Sequence, residues 1–369
     1  MTNGKRILCA ILAVILLVST TAFACADETA TADSLYIQTL SCPADIMDYA
    51  VANTAKFVMS MDETSSLDYN LIHLGQPFTY GDNVPNLFTF PVFNGENVIY
   101  TFRVAYSPDG IIQGTMSTFL VDELNAHMGK TTEDAPLLFD VIGNALYVCV
   151  EDEAEKIYEF PEYESVSNDI ETESYGFTAM EIKDISDFID VDFFWSSARS
   201  TYQYIALDLQ EIQFRNNWCA AYVTAAIIRT QTGFKQIMAK DVMEWCYGEG
   251  VSSEQSLSFN DAAYYAREVA RLTATTYSAT ALSNSRLVAE IDYGRPVYLS
   301  MTNKSDDGKT SHAIALRGYH QGNAIWSIWD PVNENLAYET FTMGGDFVSS
   351  TGNIFYYDGR TIYNFYANW

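Results

Sequence analysis

The feature that most constrains this chain is an acidic, weakly patterned stretch from Pro161 to Asp192, which holds ten carboxylates and one lysine. A segment of that composition buries too little apolar surface to form a core. It therefore splits the 369 residues into two parts, each long enough to bury a core of its own. The charge follows the same division. Residues 27–197 carry 31 acidic and 5 basic side chains, whereas residues 198–369 carry 17 and 13. A surface this acidic repels phosphate backbones and anionic headgroups, so no nucleic-acid or membrane-surface partner is expected.

The N-terminus reads as an address. Lys5 and Arg6 precede an apolar run from Ile7 to Val18, too short for the roughly twenty residues of a membrane span. Ala22 and Ala24 then suit a secretory cleavage site, so residues 1–26 read as a signal peptide and the protein as secreted. Cys25 opens a lipid-anchor alternative, which the flanking Ala22 and Phe23 fit poorly. The remaining cysteines, Cys42, Cys149, Cys219 and Cys246, are too scattered for a disulfide-stapled scaffold, and a Cys42–Cys149 bridge stays open.

Residues 27–160 alternate in pattern. Pro43 to Met61 has apolar residues near helical spacing. Leu87–Phe93 and Val98–Tyr106 flank the hairpin pair Asn94-Gly95, and Ser107-Pro108-Asp109-Gly110 marks a further turn. Phe119 to Met128 suggests a short helix stopped by Gly129, and a second hairpin joins Leu137–Ile142 to Ala145–Val150. A helix on a small antiparallel sheet is expected there. Residues 161–197 follow as the acidic linker.

Residues 198–369 read as helices first and strands second, an α+β order. Helices fit Trp218 to about Gly233, Gln236–Tyr247, Asp261–Leu272 and Leu287–Tyr293. Strands fit Pro296–Met301, Ala313–Tyr319, Ala324–Trp329, Tyr338–Thr342, Ile354–Tyr357 and Thr361–Tyr366.

Within this half, Cys219 opens a helix, where unpaired N–H groups and the helix dipole favour a thiolate, the nucleophilic form of cysteine. Position alone leaves it balanced between a reactive thiol and a buried inert one. The half has two histidines. His312, in Ser311-His312-Ala313-Ile314-Ala315, stands at the entrance of an apolar strand, and His320 beside Gly322 reads as a turn residue. Asp330 ends the next strand, where a carboxylate can orient an imidazole or simply begin a turn before Pro331. Gln213, six positions before Cys219, can donate its amide to an oxyanion or face solvent. A zinc site from Cys219, Cys246, His312 and His320 has no short ligand pair behind it, and no metal or other cofactor is expected.

Taken in order, Gln213, Trp218-Cys219-Ala220 opening a long helix, Ser311-His312-Ala313-Ile314-Ala315 and a polar residue after Trp329 resemble the papain-like cysteine proteases, and among them the staphopains. The resemblance covers the last ~170 residues. It implies two lobes, one helical and bearing the cysteine, one antiparallel β and bearing the histidine, with protein or peptide substrates bound between. It also implies Cys219 as nucleophile, His312 as base and acid, and Gln213 in the oxyanion hole. Asp330 stands where the family usually has asparagine, with Asn333 as the fallback orienting group. The glycines around the papain cysteine are missing, and Asn217 and Trp218 stand there instead. More faintly, residues 27–160 resemble an inhibitory propeptide domain, an intramolecular partner that covers the cleft until the linker is cut. Two other classes compete. One is a peptidoglycan amidase or transglutaminase-like thiol enzyme, for which no wall-binding repeat or basic patch speaks. The other is a non-catalytic surface or adhesion module with a structural Cys219.

Overall fold

A computed structural model describes residues 35–40, 42–80, 86–150, 153–160, 177–181, 189–190, 202–304, 308–333 and 336–367. The expected leader at 1–26, with Cys25, and most of the linker at 161–197 lie outside them.

Up to the linker the elements are β1 (Tyr36–Leu40), α1 (Ala44–Met61), β2 (Ile72–Leu74), β3 (Leu87–Asn94), β4 (Asn97–Tyr106), β5 (Ile112–Ser117), α2 (Val121–Ala126), β6 (Leu138–Ile142), β7 (Ala145–Val150) and β8 (Glu153–Glu159). Two strands fall within the linker, β9 (Phe177–Glu181) against β1 and β10 (Ile189–Asp190) against β2. The C-terminal half adds β11 (Tyr202–Tyr204), α3 (Cys219–Thr232), α4 (Ala239–Tyr247), α5 (Phe259–Glu268), β12 (Thr276–Ser278) and α6 (Asn284–Asp292). It ends with β13 (Val297–Asn303), β14 (Ser311–His320), β15 (Ile325–Trp329), β16 (Tyr338–Thr342), β17 (Phe347–Val348) and β18 (Ile354–Tyr363).

The mixed α+β class is as expected, with six helices among the described residues and a large antiparallel sheet. Local chemistry explains the boundaries. Gly95 and Gly233 take the left-handed conformation at the β3–β4 turn and at the end of α3, a region open to glycine at little cost. Ser258 caps α5 by accepting from the Asp261 N–H. The two terminal strands expected at 354–357 and 361–366 are one strand, β18, whose pairing with β13 shifts register between Leu299 and Met301. A bulge lets one strand continue where the sequence pattern breaks.

The larger departure is the sheet. Residues 27–160 do not make a separate small sheet, because β5 pairs with β16. Thirteen strands therefore run as one sheet, ordered β10-β2-β3-β4-β5-β16-β15-β14-β13-β18-β12, with β11 on β14 and β17 on β18. Among the described residues, only β6-β7-β8 and the β1–β9 pair stand apart. The cores cross the boundary too. Ile325 of β15 lies in the core of α1, β3 and β4, and Val348 and Ile354 lie in the core beneath β6–β8. An exposed β5 edge would template aggregation, and pairing it with β16 removes that edge. Arg103 of β4 and Glu339 of β16 form a fully buried ion pair across the join. Removing either partner alone would cost about 3–5 kcal/mol, because the survivor is left charged and buried. Cys42 and Cys149 each keep a thiol and share no disulfide, which closes the bridge left open above.

Candidate active site

α3 is the helix at the centre of the second half. Its residues Ala220 to Arg229 are all buried, and its run of alanines lets α4, α5, β13 and β14 approach closely. The loop before it is pinned at several points. Arg229, buried in α3, donates to the Asp208 carbonyl at 3.0 Å, the Ile237 carbonyl at 2.7 Å and the Glu211 carboxylate at 3.0 Å. The Asn217 N–H reaches the Ser253 carbonyl at 2.7 Å, and the Trp218 indole donates to the Ser252 carbonyl at 3.2 Å. Cys219 is therefore set at the first helical position by a rigid approach. There its own N–H and its neighbour's have no intrahelical acceptor.

β14 brings His312 to the same place. Nine of its ten residues are buried, and His312 stands opposite Met301 of β13 with its ring 5.6 Å from that of Phe355. The His312 Nε2 lies 2.7 Å from Oδ1 of Asp330, the residue that follows β15. The same Oδ1 accepts from the Val332 N–H at 3.1 Å, so the carboxylate is held by its own turn. Burial alone would push the imidazole down, but the Asp330 carboxylate, aided by the neighbouring Cys219, holds it well above the ordinary histidine value. With Nε2 given to Asp330, Nδ1 is the ring nitrogen left to serve the sulfur. Cys219, His312 and Asp330 thus come together from three elements.

The other expected site residues are placed as follows. Asn333 sits in the turn, its N–H on the Asp330 carbonyl at 3.0 Å, and Asp330 contacts the histidine directly. Gln213 is buried, not solvent-facing. Its backbone N–H donates to the Pro331 carbonyl at 2.7 Å and its Nε2 to the Asn216 carbonyl at 2.5 Å. His320 lies at the opposite end of β14, and Cys246 is on α4. Burial and Asp261 raise the Cys246 thiol to about 11, and burial and Asp45 raise Cys42 to about 12, so neither is a thiolate at neutral pH.

Beside the sulfur lies a groove of about 490 Å³. Cys219, Ala220 and the Ser256–Phe259 segment form one wall, and Tyr298, Ser300, His312 and Arg360 form the other. All its lining residues lie between 217 and 360, so none of the described residues of the N-terminal half covers it. The expectation that residues 27–160 cap the cleft has no contact behind it among the described residues. Arg360, a wall residue that the sequence pattern did not single out, pairs with Asp358 and donates to the Ser311 hydroxyl at 3.1 Å. Its only signal was a lone arginine in an aromatic strand, too common to stand out.

Residues 202–348 match the model of the Peptidase_C39 like family, which supports a cysteine peptidase-like domain. The matched span runs from β11 to β17 and includes Gln213, Cys219, His312 and Asp330. No curated protein matches the chain.

Proposed function

We propose that this chain is an exported cysteine endopeptidase of papain-like mechanism, nearest in character to the staphopains. One observation carries the reading. A cysteine at a helix N-terminus meets a buried histidine whose far nitrogen is 2.7 Å from a carboxylate, beside an open groove. A raised imidazole keeps its proton at neutral pH, and that cation, with the helix dipole, stabilises the Cys219 thiolate.

The thiolate attacks the scissile carbonyl carbon, forming a C–S bond as the carbonyl electrons move onto oxygen. The Cys219 N–H receives that oxyanion, together with the amide proton of Gln213 not spent on Asn216. His312 gives its proton to the departing amine as the C–N bond breaks. Now neutral, it takes a proton from water, and the hydroxide releases the acyl group from sulfur. Asp330 keeps the ring in the tautomer and orientation that both transfers require.

Export rests on the leader pattern, and maturation on the acidic segment at 161–197. The docked N-terminal half is read as a lasting part of the enzyme more readily than as a removable plug.

Cys219→Ala should abolish hydrolysis of casein while leaving the melting temperature and circular dichroism unchanged. Hydrolysis near the wild-type rate would end the reading. Purified peptidoglycan as parallel substrate separates peptidase from wall amidase, since a peptidase leaves it intact.

A further inference from the structure

The turn that carries Asp330 is not held by the catalytic half alone. Tyr158, the sixth residue of β8 in the N-terminal half, donates its hydroxyl to the Val332 carbonyl at 2.5 Å. Val332 in turn donates its N–H to Asp330 Oδ1 at 3.1 Å, and that oxygen is the one 2.7 Å from His312. One peptide unit on each side of Val332 thus joins a tyrosine of the first half to the carboxylate of the second. The tyrosine is not adjustable. Its ring packs edge-on against Phe119 at 5.4 Å and Phe160 at 5.0 Å, inside a closed aromatic core. Behind Asp330, Arg103 and Phe119 of the N-terminal half line a small void with Glu339 and Asn333. Two further ties fix the same region. Arg215, four residues before Cys219, pairs with Glu159, next to Tyr158, at 2.6 and 2.9 Å.

We propose that Tyr158 is a positioning residue for the His312–Asp330 pair, so that the N-terminal half completes the active site from behind instead of closing it from in front. This rests on the cysteine-peptidase reading above. A carboxylate 2.7 Å from an imidazole stabilises its cation strongly, and a turn free to swing lengthens that contact and weakens it. Val332 is anchored by its carbonyl and anchors Asp330 by its amide, so loss of the Tyr158 hydroxyl removes the N-terminal half's tie and leaves the turn to the Gln213 N–H on Pro331 and its own bonds.

The charged and titratable groups facing the pair are few. Cys219 is on the α3 side, Tyr298 on β13 and Arg360 and Lys309 on the groove wall, and the Arg103–Glu339 pair lies behind Asp330. None of them is altered by Tyr158→Phe, which removes one oxygen and keeps the ring.

The test uses the full chain and the rate at which iodoacetamide alkylates Cys219, followed by mass spectrometry across pH. In the wild type Cys219 should react at neutral pH far faster than Cys42 or Cys246. Tyr158→Phe should lower that neutral plateau about three- to tenfold, the scale of one lost hydrogen bond. It should also move the pH at which the imidazolium proton is lost to a lower value. Tyr204→Phe is the matched control, because it deletes another tyrosine hydroxyl bonded between the halves, to the Ser60 carbonyl at 2.9 Å, away from the turn. It should leave both plateau and limb in place. A plateau and limb unchanged in Tyr158→Phe overturn the proposal, as does a lowered melting temperature with an unchanged plateau, which marks a purely structural role. A wild type whose Cys219 reacts no faster than its other thiols overturns the peptidase reading and this proposal together.

Discussion

The two ends of β14 hold two buried histidines in opposite states. His312 and His320 share a strand and nearly the same exposure, 2% and 6%. Burial disfavours the cation at both. At His312 the Asp330 carboxylate reverses that effect, and the imidazole is held above its ordinary value. At His320 nothing does, and burial leaves it below. Carboxylates are not missing there, since Asp62, Glu63 and Asp68 line a cavity of about 410 Å³ with it. They are engaged elsewhere. Asp62 accepts from the Ser66 and Leu67 N–H groups and the Tyr69 hydroxyl, and Glu63 takes Arg317 at 2.5 Å. The ring of His320 stacks on Tyr202 instead, 5.9 Å away and 11° from parallel. A carboxylate in direct contact decides a histidine's charge; carboxylates merely nearby do not.

That contrast breaks most visibly in catalysis. His312→Ala should cost about 10²–10⁴ in kcat/KM on a peptide substrate, the usual worth of a positioned acid–base group. His320→Ala should stay within about threefold, because His320 lies at the far end of β14 and does not line the groove. Equal losses from the two would erase the distinction. A milder cut is Asp330→Asn, which keeps a side chain of the same shape and removes its charge. The imidazole then falls toward its ordinary value, so its active protonated form is lost at a lower pH. The basic limb of the kcat/KM profile should shift to lower pH, with the largest loss of rate at pH values between the old limb and the new one. An unmoved basic limb would show that Asp330 does not set the charge of His312.

The same contrast explains what could be read from sequence. Cys219, His312 and Asp330 were legible because each marks an element boundary: a helix start, a strand entrance, a strand end. Helices and hairpins were legible because their periodicity and turn glycines are local. The joined sheet was not, since β5 and β16 lie more than two hundred residues apart and neither pattern names its partner. Tyr158 was missed for the same reason. It reads as one aromatic among many in a strand whose first four residues are exposed, and its role depends on a carbonyl 174 positions away. Gln213 was placed near Cys219 by spacing, but its burial follows from the Pro331 contact, which spacing cannot supply.

The smallest effect is in stability, and there the two histidines should pull in opposite directions. A group lowered in the folded state, as His320 is, takes up its proton first in the unfolded chain. Its contribution is therefore complete above the ordinary imidazole range and is lost as pH falls. A group raised in the folded state, as His312 is, contributes fully below that range and loses its contribution as pH rises through the raised value. Glutamine cannot titrate, so each substitution deletes one dependence and leaves the rest of the chain's titration common to both. Between pH 7.5 and 5.5 the fall in Tm should shrink in His320→Gln and grow in His312→Gln, by about 1–2 °C for the former in a chain of this size. Scanning calorimetry at the two pH values measures both differences against wild type. Shifts of the same sign in the two variants would mean that the carboxylate contact does not separate them, and that burial alone governs both rings.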